Sequence, residues 1–193
     1  MPALLLWPDV LQLAPSTGGV TRTPSIPNSM HAILPASLTD AAVIRDIKLR
    51  AFAEEGRLSG SMEIPPLVEE LSAIELDIGT QTVLIARNGQ QIIGSARGIV
   101  TGAVCTIRAV CVEPAFQGQG IGAALLNAVE QSHPDVERFE LTTNTLVPGN
   151  VAFYERRGYQ VTELTRYSGE VVLAQMRKGS KARSACRFVR FFA

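Results

Sequence analysis

A glycine-rich segment near the middle of the chain has the residue types of an anion-binding site. Residues 108–126 read Arg-Ala-Val-Cys-Val-Glu-Pro-Ala-Phe-Gln-Gly-Gln-Gly-Ile-Gly-Ala-Ala-Leu-Leu, which predicts a buried strand, a turn, a glycine loop and an amphipathic helix. Gly118, Gly120 and Gly122 would let the backbone approach a ligand closely, and the helix N-terminus adds a positive dipole. The segment therefore predicts a pyrophosphate site, although a tight turn without a ligand could use the same glycines. Its Gly-x-Gly-x-Gly spacing differs from the dinucleotide-binding fingerprint.

A second segment places an asparagine and a tyrosine on one face of a short helix. Residues 149–159 read Gly-Asn-Val-Ala-Phe-Tyr-Glu-Arg-Arg-Gly-Tyr. Asn150 and Tyr154 are four residues apart, so both side chains project from the same side of the helix. The alternative for such a tyrosine is a core position with a satisfied hydroxyl, which is the role that we predict for Tyr159.

The two segments together resemble the GCN5-related N-acetyltransferase (GNAT) superfamily. Gln117-Gly-Gln-Gly-Ile-Gly122 is similar to the Gln/Arg-x-x-Gly-x-Gly/Ala signature, and Val110-Cys-Val-Glu-Pro114 is similar to the strand before it. Residues 149–159 resemble the Asn…Tyr-x-x-x-Gly-Phe/Tyr segment of the family. The resemblance covers residues 30–178. It implies an α/β fold with a central, mostly antiparallel mixed sheet flanked by helices, and it implies acetyl transfer from acetyl-coenzyme A to an amine.

The resemblance also implies the roles of individual residues. In the family, the tyrosine that Tyr154 matches lies beside the sulfur of acetyl-coenzyme A and can protonate the departing thiolate, so Tyr154 is the predicted catalytic residue. The backbone of the strand would contact the pantetheine arm, and the N–H groups of the loop would bind the pyrophosphate.

Many members place the asparagine seven residues before the tyrosine, so Asn150 departs from the pattern and could chiefly cap its helix. Asn144 is a second candidate for binding the cofactor or the acceptor. The implied cofactor-binding residues are Val110, Cys111, Val112, Gln117, Gly118, Gln119, Gly120, Ile121, Gly122, Asn144, Asn150 and Tyr154.

The implied reaction needs a base, because an amine is mostly protonated at neutral pH. Many relatives carry a glutamate on the strand before the glycine loop, where this chain has Thr106 and Arg108. We therefore assign no base. Glu140 on the following predicted strand is a candidate, and a solvated surface position is an equal alternative for it. A backbone N–H of Val110 or Val112 would polarise the thioester carbonyl.

The acceptor is suggested only by charge. In the family, acceptor choice depends on the loop between the first two helices and on the last strand pair, which are residues 54–66 and 167–170 here. Glu54, Glu55 and Glu63 make that loop acidic, which suits a cationic small-molecule primary amine, although solvated charges at a helix end would look the same. A protein or peptide acceptor and a non-catalytic acetyl-coenzyme A-binding regulatory module remain alternatives.

The surrounding pattern predicts the elements that would position these residues. A strand at residues 31–34 precedes two helices, the first ending at Gly56 and the second running over residues 67–76. Residues 81–87 and 91–97 flank Asn88-Gly89 and form a strong hairpin signal. Further strands are predicted at residues 103–112, 139–144, 160–167 and 170–177, with helices at residues 120–131 and 150–157.

Composition limits the class of protein and its partners. The chain has 193 residues, 46% of them hydrophobic, and a formal net charge of zero, so no overall field favours nucleic acid. No apolar run approaches the roughly 18 residues that span a bilayer. Three cysteines without metal-ligand spacing and isolated histidines indicate no metal, a reducing compartment and a cytoplasmic protein. The sequence does not decide whether the protein forms a homodimer.

The chain divides into three predicted parts. Residues 1–29 are predicted as a loosely ordered arm, residues 30–178 as the N-acetyltransferase domain, and residues 179–193 as a basic, aromatic tail.

Overall fold

A seven-stranded mixed sheet with helices on both faces forms the framework. The computed structural model describes residues 31–168 and 170–180; the predicted arm at residues 1–29 and nearly all of the predicted tail lie outside them. The strands are β1 Ala32–Pro35, β2 Thr82–Asn88, β3 Gln91–Thr101, β4 Val104–Val112, β5 Arg138–Asn144, β6 Gln160–Ser168 and β7 Val171–Gly179. The helices are α1 Ala41–Leu58, α2 Pro65–Val68, α3 Leu71–Thr80, α4 Ile121–Ser132 and α5 Asn150–Glu155.

The strand order in the sheet is β1-β2-β3-β4-β5-β7-β6. Neighbouring strands run antiparallel except β4 and β5, which are parallel. The chain reaches β5 from β4 through α4, as a parallel connection requires a crossover. The predicted α/β fold with a mostly antiparallel sheet is confirmed, and so is the hairpin that β2 and β3 form.

Alternating side chains of the strands divide the core into two clusters, one on each face of the sheet. On β2, Leu84 and Ala86 belong to the cluster that contains Leu125 and Val129 of α4. Val83 and Ile85 belong to the cluster that contains residues of α1 and α3, among them Ile47. The sheet is therefore a buried middle layer, and helices on both faces hold the ends of its strands in fixed positions.

The two predicted helix boundaries between β1 and β2 are wrong. Gly56 does not end the first helix, because α1 continues to Leu58; Gly56 is buried inside it, and a Cβ there would lie 2.8 Å from Leu67 Cδ1. The predicted single helix over residues 67–76 is split into α2 and α3. Glu69 lies between them with extended backbone angles, and its carboxylate is bound by Lys48 and Arg97.

These charges form a buried network that joins the helical layer to the sheet. Lys48 is 1% exposed and Arg97 is 8% exposed. Arg97 donates to Glu69 Oε1 at 3.1 Å and Oε2 at 2.9 Å and also pairs with Asp77. Burial raises the pKa of Glu69, but the hydrogen bonds from Arg97 and Lys48 outweigh it and leave that pKa lowered. The network therefore fixes α1 and α3 against β3.

Replacement of Arg97 by methionine should lower the free energy of unfolding by about 3–5 kcal/mol, since it leaves Asp77 without its cation and Glu69 with only Lys48. Urea denaturation measures the change. Arg57→Met is the matched control, because Arg57 pairs with Glu54 on the surface, where both side chains are more than half exposed, and should cost less than about 1 kcal/mol. Equal losses in the two variants would show that the buried network has no special effect on stability.

Candidate active site

The sheet opens between its two parallel strands. β4 and β5 are paired only at Val104 with Arg138, Cys105 with Phe139, and Thr106 with Glu140. Beyond these pairs β4 continues to Val112 and β5 to Asn144 without a further pairing between them. We call the space between residues 107–112 and residues 141–144 the cleft. Main-chain groups on the facing edges of the cleft are not used in a β-ladder between these strands, so they can bind a ligand.

A β-bulge bends β4 where it borders the cleft. Ser95 of β3 faces Cys111, whereas Arg97 faces Arg108, so two steps along β3 correspond to three along β4. The extra residue falls beside Ala109, which has a φ of 49° and is the one non-glycine residue with positive φ in the described ranges. Such a conformation is uncommon for alanine. Bulges of this kind redirect a strand and often lie next to active sites.

The main chain of Val112 faces the cleft. The N–H of Glu113 donates to the carbonyl of Ile93 on β3 at 2.8 Å. Successive residues of a strand direct their N–H and C=O groups to opposite edges, so those of Val112 are directed away from β3. Its carbonyl accepts a hydrogen bond from Gln117 Nε2 at 3.1 Å. Gln117, the first residue of the signature, thus fixes the glycine loop to the edge of the cleft.

The glycine loop has the conformation that its sequence predicts. Gly118 has a φ of 76° and Gly120 a φ of 83°, and an added Cβ at either position would meet no atom within 4 Å. Gly120 is the N-cap of α4, so the first N–H groups of α4 have no partner within the helix and point into this open space. Gly122 differs: a Cβ there would contact Phe153 Cζ at 3.6 Å and Val112 Cγ2 at 3.7 Å. The first turn of α4 therefore lies directly against both β4 and α5.

Cys111 lies on the same strand, but its side chain points away from this site. It is 4% exposed and packs with Ile44 and Ile47 of α1. Burial raises the pKa of the Cys111 thiol to about 12. Its main-chain groups alternate with those of Val112, so they are directed toward β3, where Cys111 faces Ser95, and not toward the cleft.

The two tyrosines have different surroundings. Tyr159 is 1% exposed and donates its hydroxyl hydrogen bond to Glu130 Oε1 at 2.8 Å, so the prediction of a satisfied core tyrosine is confirmed. Tyr154 lies on α5 with its ring 4.9 Å from that of Phe153 and 5.9 Å from that of Tyr159. Its hydroxyl has no hydrogen-bond partner among the described residues. Burial, together with the nearby charge of Glu55, raises the pKa of Tyr154 to about 12.

The end of α1 reaches the open end of the cleft. Asn144, the last residue of β5, is 2% exposed and donates through Nδ2 to Ser59 Oγ at 2.9 Å. Its Oδ1 accepts from the N–H of Leu146 at 3.0 Å, and its amide opposes the rise that burial causes in the pKa of Glu55. Asn144 thus lies at the end of the cleft where α1 ends, and its amide is engaged by the protein. Sequence reasoning placed Ser59 in the acceptor loop and gave it no role.

Two further predicted candidates have different positions. Asn150 is the first residue of α5, but the N-cap position belongs to Gly149 and no side chain caps the helix, so the capping role is wrong. Glu140 lies at the paired end of β4 and β5, outside the cleft. Arg138 Nε donates to Glu140 Oε1 at 2.8 Å and Arg177 Nε at 3.0 Å. The hydrogen bond from Arg138 is the main cause of its lowered pKa, so Glu140 is poorly suited to act as a base.

The described part of the chain contains no group of three or more histidine, cysteine or acidic residues arranged to hold a metal ion. None of its helices is long and apolar enough to cross a membrane.

Comparison with known proteins identifies a related domain in the middle of the chain. Residues 79–161 match the sequence profile described as the acetyltransferase (GNAT) domain. The uncharacterized protein YdhI of Bacillus subtilis is 35% identical over 72 residues, which are 36% of this chain and 44% of that protein. The match thus spans less than half of the length of this curated relative.

Solved structures share the fold at low sequence identity. The ribosomal-protein-S18-alanine N-acetyltransferase of Escherichia coli superposes with a TM-score of 0.65 at 18% identity, over 78% of this chain and 94% of the other. The putative acetyltransferase yncA of Salmonella typhimurium, solved with its cofactor acetyl-coenzyme A, gives a TM-score of 0.64 at 16% identity, over 79% and 95%. Residues 79–161 thus match the acetyltransferase (GNAT) domain profile, and the described chain shares the fold of these solved structures.

Proposed function

We propose that the protein transfers the acetyl group of acetyl-coenzyme A to a small-molecule primary amine. The observation that carries this proposal is the meeting of three features at the cleft. The main chain of Val112 faces it, and Gly122 in the first turn of α4 lies against Val112 and Phe153. Tyr154, with its unpartnered hydroxyl, packs against Phe153 with a ring separation of 4.9 Å. Together they supply a main-chain edge, an anion site and a proton donor.

The glycine loop fits a pyrophosphate. The positive φ angles of Gly118 and Gly120 turn the loop. The space next to their Cα atoms is open, and a side chain at either position would project into it. The unpaired N–H groups and the helix dipole favour an anion at this point. Val112, at the end of β4 before the loop, directs its N–H and C=O groups into the cleft, where the amide groups of a pantetheine arm could pair with them. The loop and strand thus support acetyl-coenzyme A as the co-substrate.

Bound acetyl-coenzyme A would supply a thioester, which an amine can attack directly. A main-chain N–H on the cleft edge of β4, from Val110 or Val112, can donate to the carbonyl oxygen as negative charge develops there. Tyr154 can donate its proton to the leaving sulfur. A pKa of about 12 keeps its hydroxyl protonated at neutral pH, which is the form that a general acid needs.

A contact at the open end of the cleft favours a small acceptor. The hydrogen bond from Asn144 to Ser59 joins β5 to the end of α1, and this bridge spans the two elements that border the open end. An extended peptide would have to displace the bridge, whereas a primary amine on a short chain would not. This contact is the reason for preferring a small molecule to a protein acceptor.

Acetyl-coenzyme A should raise the melting temperature of the protein, because it binds the folded state alone. At about 100 times its dissociation constant the gain would be about 2.7 kcal/mol. A thiol-release assay with acetyl-coenzyme A across short amines, aminoglycosides, amino acids and peptides then tests turnover. We expect release with one or more short amines. Thermal stabilisation without release from any acceptor would indicate a binding module, and the absence of stabilisation would contradict the proposed site.

A further inference from the structure

One acidic side chain in the described ranges is withdrawn from solvent without a cation beside it. Every other buried or half-buried acid there forms an ion pair with lysine or arginine: Asp40, Glu69, Asp77, Glu113, Glu130 and Glu140. Glu55 is half-buried on the last turns of α1 and has no such partner. A carboxylate in this state is costly unless something else compensates its charge.

The other acids of the same segment do not share this position. Glu54 is exposed and bound by Arg57 Nη2 at 2.6 Å. Glu63 is also exposed. Of the acidic residues that the sequence placed in the acceptor loop, only Glu55 is directed toward the protein.

Contacts place Glu55 at the open end of the cleft. Glu55 lies one turn before Ser59, whose N–H donates to the Glu55 carbonyl at 2.9 Å. Asn144 of β5 and Tyr154 of α5 are both near enough to interact electrostatically with its carboxylate. Asn144 is itself held by Ser59 and by the N–H of Leu146. The Glu55 carboxylate therefore lies near the proposed proton donor at the open end of the cleft.

We propose that Glu55 binds the ammonium group of the acceptor amine and accepts its proton before acetyl transfer. This inference rests on the proposed function and adds the base and the charge of the acceptor to it. An ammonium group would give Glu55 the cation that the chain does not provide. Since a simple amine has a pKa of about 10, it arrives protonated and must lose a proton before it can attack.

The proposed transfer removes two protons from the ammonium nitrogen. The ammonium nitrogen gives one proton to a Glu55 carboxylate oxygen, which leaves a neutral amine and a carboxylic acid. The amine nitrogen forms a bond to the thioester carbonyl carbon, and the carbon–sulfur bond breaks. Tyr154 gives its proton to the leaving sulfur, and the second proton lost by the nitrogen restores the phenol. Glu55 releases its proton to solvent, so the products are one amide, one thiol and one proton.

The surroundings of Glu55 suit a general base. Burial raises its pKa, and the nearby Asn144 amide opposes that rise in part. Asn144 from β5, Tyr154 from α5 and Ser59, the C-cap of α1, lie near it and carry no charge at neutral pH. The charge of Arg157, which follows α5, acts on Tyr154. A raised pKa makes the carboxylate a stronger base than an exposed glutamate.

The test compares Glu55→Gln with Glu54→Gln, a change of the same kind one residue away. Calorimetry should give the same affinity for acetyl-coenzyme A in both variants and in the parent protein. With the amine identified by thiol release, kcat/KM should fall about 100- to 10,000-fold in Glu55→Gln and less than about threefold in Glu54→Gln. The parent rate should fall as pH drops through the raised pKa of Glu55, and Glu55→Gln should lose that limb. Unchanged kcat/KM in Glu55→Gln would overturn the proposal.

A binding measurement separates this proposal from the proposed function. In the presence of free coenzyme A, propylamine or 1,4-diaminobutane should bind the parent protein and Glu54→Gln, but not Glu55→Gln, and 1-propanol should bind none of them. If amine binding depends on Glu55 but no turnover is detected, the proposed function is contradicted and the role of Glu55 in binding the amine is supported. Equal amine binding by both variants, with melting curves showing both folded, would sink the role of Glu55 alone.

Discussion

Replacement of Tyr154 by phenylalanine is expected to lower turnover by about 10- to 10,000-fold, with the affinity for acetyl-coenzyme A nearly unchanged. The ring would keep its edge-to-face contacts with Phe153 and Tyr159, so the fold should survive. Only the hydroxyl would be lost, and this hydroxyl has no protein partner within the described ranges. Steady-state turnover and calorimetric binding of acetyl-coenzyme A measure the two effects separately.

Tyr159→Phe is the matched control for this prediction. It removes the buried hydrogen bond to Glu130 and should lower stability by about 1–2 kcal/mol with little effect on turnover. If Tyr154→Phe keeps full turnover, water or another residue protonates the sulfur. If it loses affinity for acetyl-coenzyme A as well, the hydroxyl serves binding, and the catalytic assignment fails.

Valine at position 120 is expected to abolish the thermal stabilisation by acetyl-coenzyme A. Gly120 has a φ of 83°, and a β-branched residue there costs about 1–3 kcal/mol in strain or forces the loop into another conformation. Either its side chain would fill the space proposed for the pyrophosphate, or the N–H groups at the start of α4 would turn away. Melting curves with and without acetyl-coenzyme A measure the loss.

Gly102→Val separates loss of the site from general strain. Gly102 has a φ of 58°, and an added Cβ there also meets no atom within 4 Å. It lies in the turn between β3 and β4, at the opposite end of β4 from the glycine loop. That variant should melt at a lower temperature and still respond to acetyl-coenzyme A. An undiminished response in Gly120→Val would mean that the pyrophosphate site is misplaced.

The sequence predicted the parts of the fold that depend on local signals. The Asn88-Gly89 turn set the β2–β3 hairpin, because positive φ at glycine selects a tight turn. Alternating and 3.6-residue patterns located the remaining strands and α4 to within a few residues. The glycine loop was predictable for the same reason: Gly118 and Gly120 adopt conformations that other residues avoid.

Features that depend on tertiary contacts were not predictable. Glycine usually ends a helix, but Gly56 remains inside α1 because Leu67 packs against its bare backbone. The break at Glu69 follows from its partners Lys48 and Arg97, which are distant in sequence. Ala109 carries no local signal for a bulge. The sequence does not distinguish Glu55 from Glu54 and Glu63. Only the orientation of α1 makes Glu55 half-buried while the other two are exposed.

The direction of the main chain along the cleft has a consequence for how the protein can change over evolution. Val112 presents N–H and C=O groups to the cleft, and every amino acid except proline carries both. Substitutions among the side chains of β4 therefore leave the hydrogen-bonding groups at this edge of the cleft unchanged, provided that the backbone conformation of the strand is kept. Inherited constraint should instead concentrate on residues that set backbone conformation, such as Gly118 and Gly120. The side chains at the end of α1 are free of that constraint, so new acceptors could be acquired there without rebuilding the rest.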